Sequence, residues 1–167
     1  MKKIIAAIMM AIVALAPVTM KAQRGMKSVG VFGGFNSELE TGLAGVYFQY
    51  GCNKWLRLSP NMQMLFKKHD MSAFHINGNA HFVLPLDKAI NIYGITGITY
   101  QSWRHAKIKI DDDGRLKDRV SNRFGVGLGA GIEAYCTKSL KVMLEVKHNF
   151  VDDYSSTDFF AGIGYVF

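Results

Sequence analysis

Beyond residue 22 the chain has no apolar run approaching the roughly 20 residues that a transmembrane helix requires. Helical spacing of apolar residues is equally scarce, and 17 glycines weigh against helices throughout. Lysine and arginine are scattered through turns and loops, so there is no basic stripe and nucleic acid is not expected as a partner. Only two cysteines occur, Cys52 and Cys136, and neither lies near residue 22, which excludes a lipid-anchoring cysteine there. Such a chain can cross a membrane only with strands.

What the sequence does contain begins with "MKKIIAAIMMAIVALAPVTMKAQ". Lys2 and Lys3 precede an unbroken apolar run from Ile4 to Leu15, and Pro17 interrupts it ahead of Ala22 and Gln23. The run is short for a span and has the order of a secretory signal peptide. Residues 1–22 are therefore expected to be a cleaved signal peptide and residues 23–167 a single exported domain. Cleavage would take Lys2, Lys3 and Lys21 with it, lowering the formal charge from +7 to +4.

Alternation with a period of two runs through the rest. Eight segments carry it, at about 26–36, 41–51, 55–67, 71–84, 89–103, 119–136, 140–151 and 157–167. In "LKVMLEVKHNF" one face holds Leu140, Val142, Leu144, Val146 and Phe150, and the other holds Lys141, Met143, Glu145, Lys147 and Asn149. In "RFGVGLGAGIEAY" an apolar face from Phe124 to Ala134 opposes Arg123, Glu133, Tyr135 and four glycines. A solvated face rich in glycine would make a poor strand. A narrow barrel interior, where small residues make room for large ones across the lumen, accounts for it better. Apolar faces five or six positions long also match the height of a hydrocarbon band. The predicted fold is all-β: an eight-stranded antiparallel up-and-down transmembrane barrel, apolar outside and polar within.

The connections agree. "YGCNKWLRL", "LPLDKAINI" and "AYCTKSLKV" share a short turn in which a small polar residue precedes lysine: Asn53-Lys54, Asp87-Lys88 and Thr137-Lys138. They would be the periplasmic turns, and the more charged connections between them the outer loops. Cys52 and Cys136 then end strands two and six, nearly opposite around the ring and far beyond the roughly 7 Å reach of a disulfide. Two free thiols are expected. Aromatics at strand ends should form interface girdles, with Tyr50, Trp55 and Phe167 on the periplasmic side. Phe66, Tyr100, Trp103, Phe124, Phe150 and Phe159 should mark the outer side, although Trp103 points into the lumen by parity.

"FGVGLGAGIEAYCTKSLKVMLEVKHNF", followed by "FFAGIGYVF", resembles the last three strands of small OmpA/OmpX-type outer-membrane β-barrels. The shared features concentrate in residues 123–167. The resemblance implies a place in the cell outer membrane, contact with outer-membrane lipid, and recognition of Tyr165 and Phe167 by the barrel-assembly machinery.

Five charged residues, Arg57, Arg123, Glu133, Glu145 and Lys147, are expected to face the lumen. Glu133 and Glu145 would suit an acid/base couple, but a bore just wide enough for side chains favours an interior salt-bridge network. His75, Asn77, Asn79 and His81 read as lumen polar groups. His75 and His81 lie roughly 20 Å apart along one strand, too far to share a metal. Neither metal nor cofactor is expected.

Lipid-modifying enzymes also use eight-stranded barrels. The lipid A deacylase type carries His and Ser two residues apart on one strand. Here the residues two after each histidine are Met71, Asn77, Val83, Lys107 and Phe150. In "KIKIDDDGRLKDRV", DDDG lacks the acid that a calcium loop would need at Lys109. Asp113-Gly114 reads instead as a hairpin turn, so strands five and six would project as a ribbon. Loop 104–122 is then the expected contact for a surface partner, by strand addition. The sequence thus points to a non-catalytic outer-membrane barrel with a structural or cell-surface interaction role. A lipid-active acyltransferase or deacylase is the first alternative, and a soluble periplasmic ligand-binding barrel the second.

Overall fold

The computed structural model describes residues 25–68, 71–110, 116–152 and 154–167. Residues 1–22, expected to be a signal peptide, His69, and Asp113-Gly114, expected to form a hairpin turn, lie outside them. Eight strands follow in chain order: β1 (Lys27–Asn36), β2 (Thr41–Gly51), β3 (Leu56–Lys68), β4 (Met71–Pro85), β5 (Ile90–Ile110), β6 (Leu116–Tyr135), β7 (Leu140–Val151) and β8 (Ser156–Val166). Each pairs antiparallel with its sequence neighbour, and β8 pairs with β1 to close the barrel. Closure leaves no edge, which a sheet in hydrocarbon cannot tolerate.

The distribution of side chains is inverted relative to a water-soluble protein. Val31, Met64, Phe82, Ile98, Phe124, Leu144 and Phe159 are among many large apolar side chains standing on the outer wall. Buried polar and charged residues outnumber buried apolar ones. So wide an apolar exterior is incompatible with water, and the soluble-barrel alternative fails on this point.

Inter-strand pairing climbs as it circles the barrel. Val31 pairs with Val46, Val46 with Met62, Met62 with Ile76, Ile76 with Tyr100, and Tyr100 with Phe124. The row begins mid-way along β1 and reaches the outer half of β6. The strands are therefore tilted and staggered, as closure of eight of them requires.

The three lysine-bearing connections are one turn used three times. Cys52, Leu86 and Cys136 each donate their amide to the carbonyl four residues on, at Leu56, Ile90 and Leu140. The next residue in each, Asn53, Asp87 or Thr137, donates to the same carbonyl. Asn53 Oδ1 accepts from the amides of Trp55 and Leu56, and Thr137 Oγ1 from those of Ser139 and Leu140. Asp87 Oδ1 instead accepts from the amide of Lys88. This explains why a small polar residue recurs there. Both cysteines are free, at the ends of β2 and β6 on this rim.

At the opposite rim β5 and β6 outrun their neighbours. They pair as far as Ile110 with Leu116, across a register irregularity between His105 and Lys109. The sequence segments ended at 103 and began at 119, so the regular strands are longer than the hydrophobic alternation alone marks.

Candidate functional site

The most concentrated chemistry lies in the lumen. Arg57 Nη1 donates to both oxygens of Glu133, at 2.8 and 2.9 Å. Arg57 is on β3 and Glu133 on β6, so this ion pair bridges the bore. Lys141 Nζ lies 3.1 Å from the second Glu133 oxygen. Asn91 Nδ2 and the Tyr135 hydroxyl donate to the first at 2.9 and 3.3 Å. Lys141 also donates to Gln49, which contacts Ser28 and Ser59. Arg57 Nη2 is 3.3 Å from His81 Nδ1, and the guanidinium sits 4.9 Å over the Tyr93 ring.

Further along the bore Tyr93 donates to Glu145 Oε1 at 2.7 Å. Lys147 Nζ donates to Asn77 Oδ1 at 2.9 Å, and Asn77 passes a bond to Asn61 at 2.7 Å. Nearer the outer mouth Asp158 gathers three amides: Asn36 at 2.5 Å, Gln63 at 3.0 Å and Asn149 at 2.8 Å. Gln63 also lies 3.0 Å from His75 Nδ1. Asn79 is buried on the same face of β4.

Above these layers the mouth is filled by apolar side chains. Leu39, Leu43, Leu65, Ala73 and Trp103 pack together, with Met71 and Tyr154 against them. The rings of Trp103 and Tyr154 stack at 4.7 Å. Asn36 Oδ1 accepts from the amides of Glu38 and Leu39, curling the β1–β2 loop so that Leu39 turns inward.

The profile of the outer membrane protein beta-barrel domain matches residues 5–167, nearly the whole chain. The chain belongs to that family. Several solved barrels share the architecture. The N-terminal β-barrel domain of Pseudomonas aeruginosa OprF aligns with a TM-score of 0.65 at 15% identity, covering 86% of this chain and 98% of that one. Neisserial surface protein A gives 0.68 at 13%, covering 84% and 96%. Ail, the attachment invasion locus protein of Yersinia pestis, gives 0.62 at 14%, covering 86% and 99%. A search of curated protein sequences found no match. Identities this low establish the fold alone; the outer-membrane setting comes from the family, and activity stays open.

Within this outer-membrane barrel the sequence-derived residues fall into two groups. Arg57, Glu133, Glu145 and Lys147 are buried in the bore together with His75, Asn77, Asn79 and His81. Arg123 points inward by parity but is half-buried near the outer mouth, paired in register with Gln101 and at the far end of β6 from Glu133. Its Nη1 donates to the carbonyl of Asn122 at 3.2 Å. It is thus set apart from the deep cluster that the sequence assigned it to. Two members of the buried charge set were not anticipated, Lys141 and Asp158. With them the lumen holds, among the described residues, three buried cations, Arg57, Lys141 and Lys147, and three buried carboxylates, Glu133, Glu145 and Asp158. Parity would have found both, since Lys141 alternates with Met143 and Glu145, and Asp158 with Phe160. The sequence put Lys141 on the inward face of its strand without counting it in the charge network, and gave Asp158 no place.

Trp103 follows its parity rather than its place at a strand end. It belongs to no girdle: it is wholly buried, and its indole Nε1 donates to Gln101 Oε1 at 2.8 Å. Phe66, Phe124, Phe150 and Phe159 do stand on the outer wall, as do Tyr50, Trp55, Tyr165 and Phe167 toward the other rim. One further contact escaped the sequence. On the outward wall His148 Nδ1 lies 2.9 Å from Thr157 Oγ1, across the β7–β8 pair and beside Phe150.

Proposed function

We propose that the protein is a non-catalytic outer-membrane barrel with a structural or cell-surface interaction role, exported through residues 1–22. The observation that carries this reading is the filled bore. An ion pair bridges it, hydrogen-bonded layers occupy it, and an apolar plug covers its outer mouth, so the wall and the rims are what remain to meet other molecules. The buried carboxylates are engaged by cations, amides and phenols, an arrangement suited to tying strands together. On the lipid-facing wall Gly94 and Ala130 leave a groove of about 690 Å³ between Leu84, Ile92, Ile132, Leu144 and Phe159. Its outward lining is apolar and offers no nucleophile.

The paired extension of β5 and β6 supports an outer-surface contact through segment 104–122, by strand addition to its edge. Two of the similar barrels bear names referring to attachment and to the cell surface. Replacing residues 107–118 by a two-residue turn should leave a folded barrel whose cells no longer bind the partner they otherwise retain. Unchanged binding by those cells rejects the ribbon as the contact. Tyr165 and Phe167 serve, in this reading, as the signal for the barrel-assembly machinery.

A lipid-modifying enzyme is the second reading, and the His148–Thr157 contact is the observation in its favour. An imidazole beside a hydroxyl on the membrane-facing wall is the beginning of a nucleophile–base pair. Lipid A isolated from cells carrying Thr157→Ala, compared with wild type, decides it: an altered acylation pattern moves the assignment to an enzyme.

A further inference from the structure

The inner rim carries a regular ring of positive charge. Lys54, Lys88 and Lys138 occupy the same position in three turns closed by the same pair of backbone hydrogen bonds, and all three are exposed. These turns join β2 to β3, β4 to β5 and β6 to β7, so one falls at every second strand. The interval left over is the β8–β1 seam. Lys27 stands there, also exposed, its amide and carbonyl exchanging hydrogen bonds with Phe167. Four lysines are thus spaced around the whole rim. Asp87 is the sole carboxylate in the three turns.

Their depth is set by what surrounds them. Trp55 follows Lys54 and Leu86 stands two residues before Lys88, both exposed on the edge of the apolar belt, and Tyr50, Tyr165 and Phe167 ring the same end. Aromatics of this kind sit at the headgroup level, and a lysine stem lies along apolar surface while its ammonium reaches into the polar layer. Each turn is only four residues long and doubly hydrogen-bonded, so the ammonium groups are held close to the membrane plane.

We propose that this ring binds the phosphates of anionic phospholipids in the inner leaflet of the outer membrane, one headgroup region per lysine. Lysines near a bilayer surface attract anionic lipid electrostatically. The regular spacing spreads that attraction around the barrel and fixes its depth and upright orientation. The cell wall is the competing partner for a periplasmic cationic rim. The shortness of the turns, which cannot extend away from the bilayer, favours lipid.

This inference rests on the outer-membrane reading, and the test separates the two. The folded protein is reconstituted in nanodiscs of phosphatidylethanolamine with phosphatidylglycerol, then released into native mass spectrometry and its retained lipids counted. Wild type should keep phosphatidylglycerol in preference to phosphatidylethanolamine. The triple variant Lys54→Gln, Lys88→Gln, Lys138→Gln should lose about fivefold or more of it, as expected when several near-surface charges are removed together. Phosphatidylethanolamine retention should not change. Replacing the same three lysines by arginine should keep the preference, and Arg104→Gln at the opposite rim should not alter it. Equal phosphatidylglycerol retention by the glutamine variant overturns the proposal. So does sedimentation of wild type, but not of that variant, with purified cell-wall sacculi. A wild-type protein that fails to enter the bilayer at all would sink the membrane reading instead.

Discussion

The ring of Tyr93 lies across Gly131. The two residues are direct register partners on β5 and β6, and Gly131 is in turn the partner of Glu145 on β7. With no side chain on the middle strand, Tyr93 passes over it and reaches Glu145 Oε1 at 2.7 Å. A Cβ on Gly131 would stand 2.6 Å from ring atoms of Tyr93. Tyr47 does the same at the closing seam. It leans over its partner Gly30 on β1 toward Gly164 on β8, where an added Cβ would collide with its hydroxyl. Gly131, Gly30 and Gly164 are thus seats for tyrosine rings from other strands.

Gly131→Ala should consequently destabilise the folded barrel by about 1–3 kcal/mol, the usual cost of overpacking a close-packed interior. Gly94→Ala is the matched control, because a Cβ there meets no atom within 4 Å. Urea unfolding followed by the loss of heat-modifiable gel mobility measures both. Equal midpoints for the two variants would show that Tyr93 moves aside freely.

Much of this was legible in the sequence, and the parts that were not share a cause. A period of two tells which side of the wall a residue faces, and it placed Arg57, Glu133, Glu145, Lys147 and the β4 histidines correctly inside. It says nothing about depth. Depth depends on the stagger between strands, which accumulates around the ring and is fixed by turn geometry and register. Arg123 therefore shared the parity of Glu133 without sharing its depth. Glycines that were expected to make room for side chains across the lumen instead accommodate Tyr93 and Lys147 from neighbouring strands. Trp103 was ambiguous for a related reason: an aromatic at a strand end suits a girdle, but its parity and its need for an indole acceptor take it to Gln101 inside.

The ion pair predicts an asymmetry. Glu133→Gln leaves Arg57 and Lys141 buried without their shared carboxylate. Arg57→Gln leaves Glu133 still paired with Lys141. Removing one partner of a buried pair costs about 3–5 kcal/mol, so Glu133→Gln should fall near the top of that range and Arg57→Gln below it. The same unfolding assay ranks them, and a reversed order would mean that Lys141 takes no real share in holding Glu133.

The seam predicts which feature of the last residues matters for folding. Phe167 and Lys27 exchange backbone hydrogen bonds, and Val166 donates to the carbonyl of Ser139. Deleting Tyr165–Phe167 removes these bonds and leaves backbone groups unpaired at the membrane boundary, at several kcal/mol each. In vitro refolding into detergent should then yield no heat-modifiable band. Phe167→Ala keeps the backbone and should refold normally in detergent, yet accumulate poorly in cells if its side chain is the assembly signal. Normal accumulation of Phe167→Ala in the membrane fraction removes that role from the side chain.

Conductance is the most direct test of the filled bore. Two of its obstructions are the Arg57–Glu133 bridge and the plug of Leu39, Leu43, Leu65 and Trp103 beneath Tyr154, with hydrogen-bonded layers between them. Either alone blocks hydrated ions, because an eight-stranded barrel is only wide enough for its own side chains. Planar bilayers containing wild-type protein in molar KCl should show no stepwise openings. Trp103→Ala alone should stay silent, since the bridge remains, and Arg57→Ala with Glu133→Ala should stay silent behind the plug. The triple variant, checked for heat-modifiable folding, should stay silent too, because the Lys147–Asn77–Asn61 and Asp158 layers remain. Steps from the wild type would show that these layers part in the membrane, and steps from the Trp103 variant alone would show that the ion pair does not close the bore.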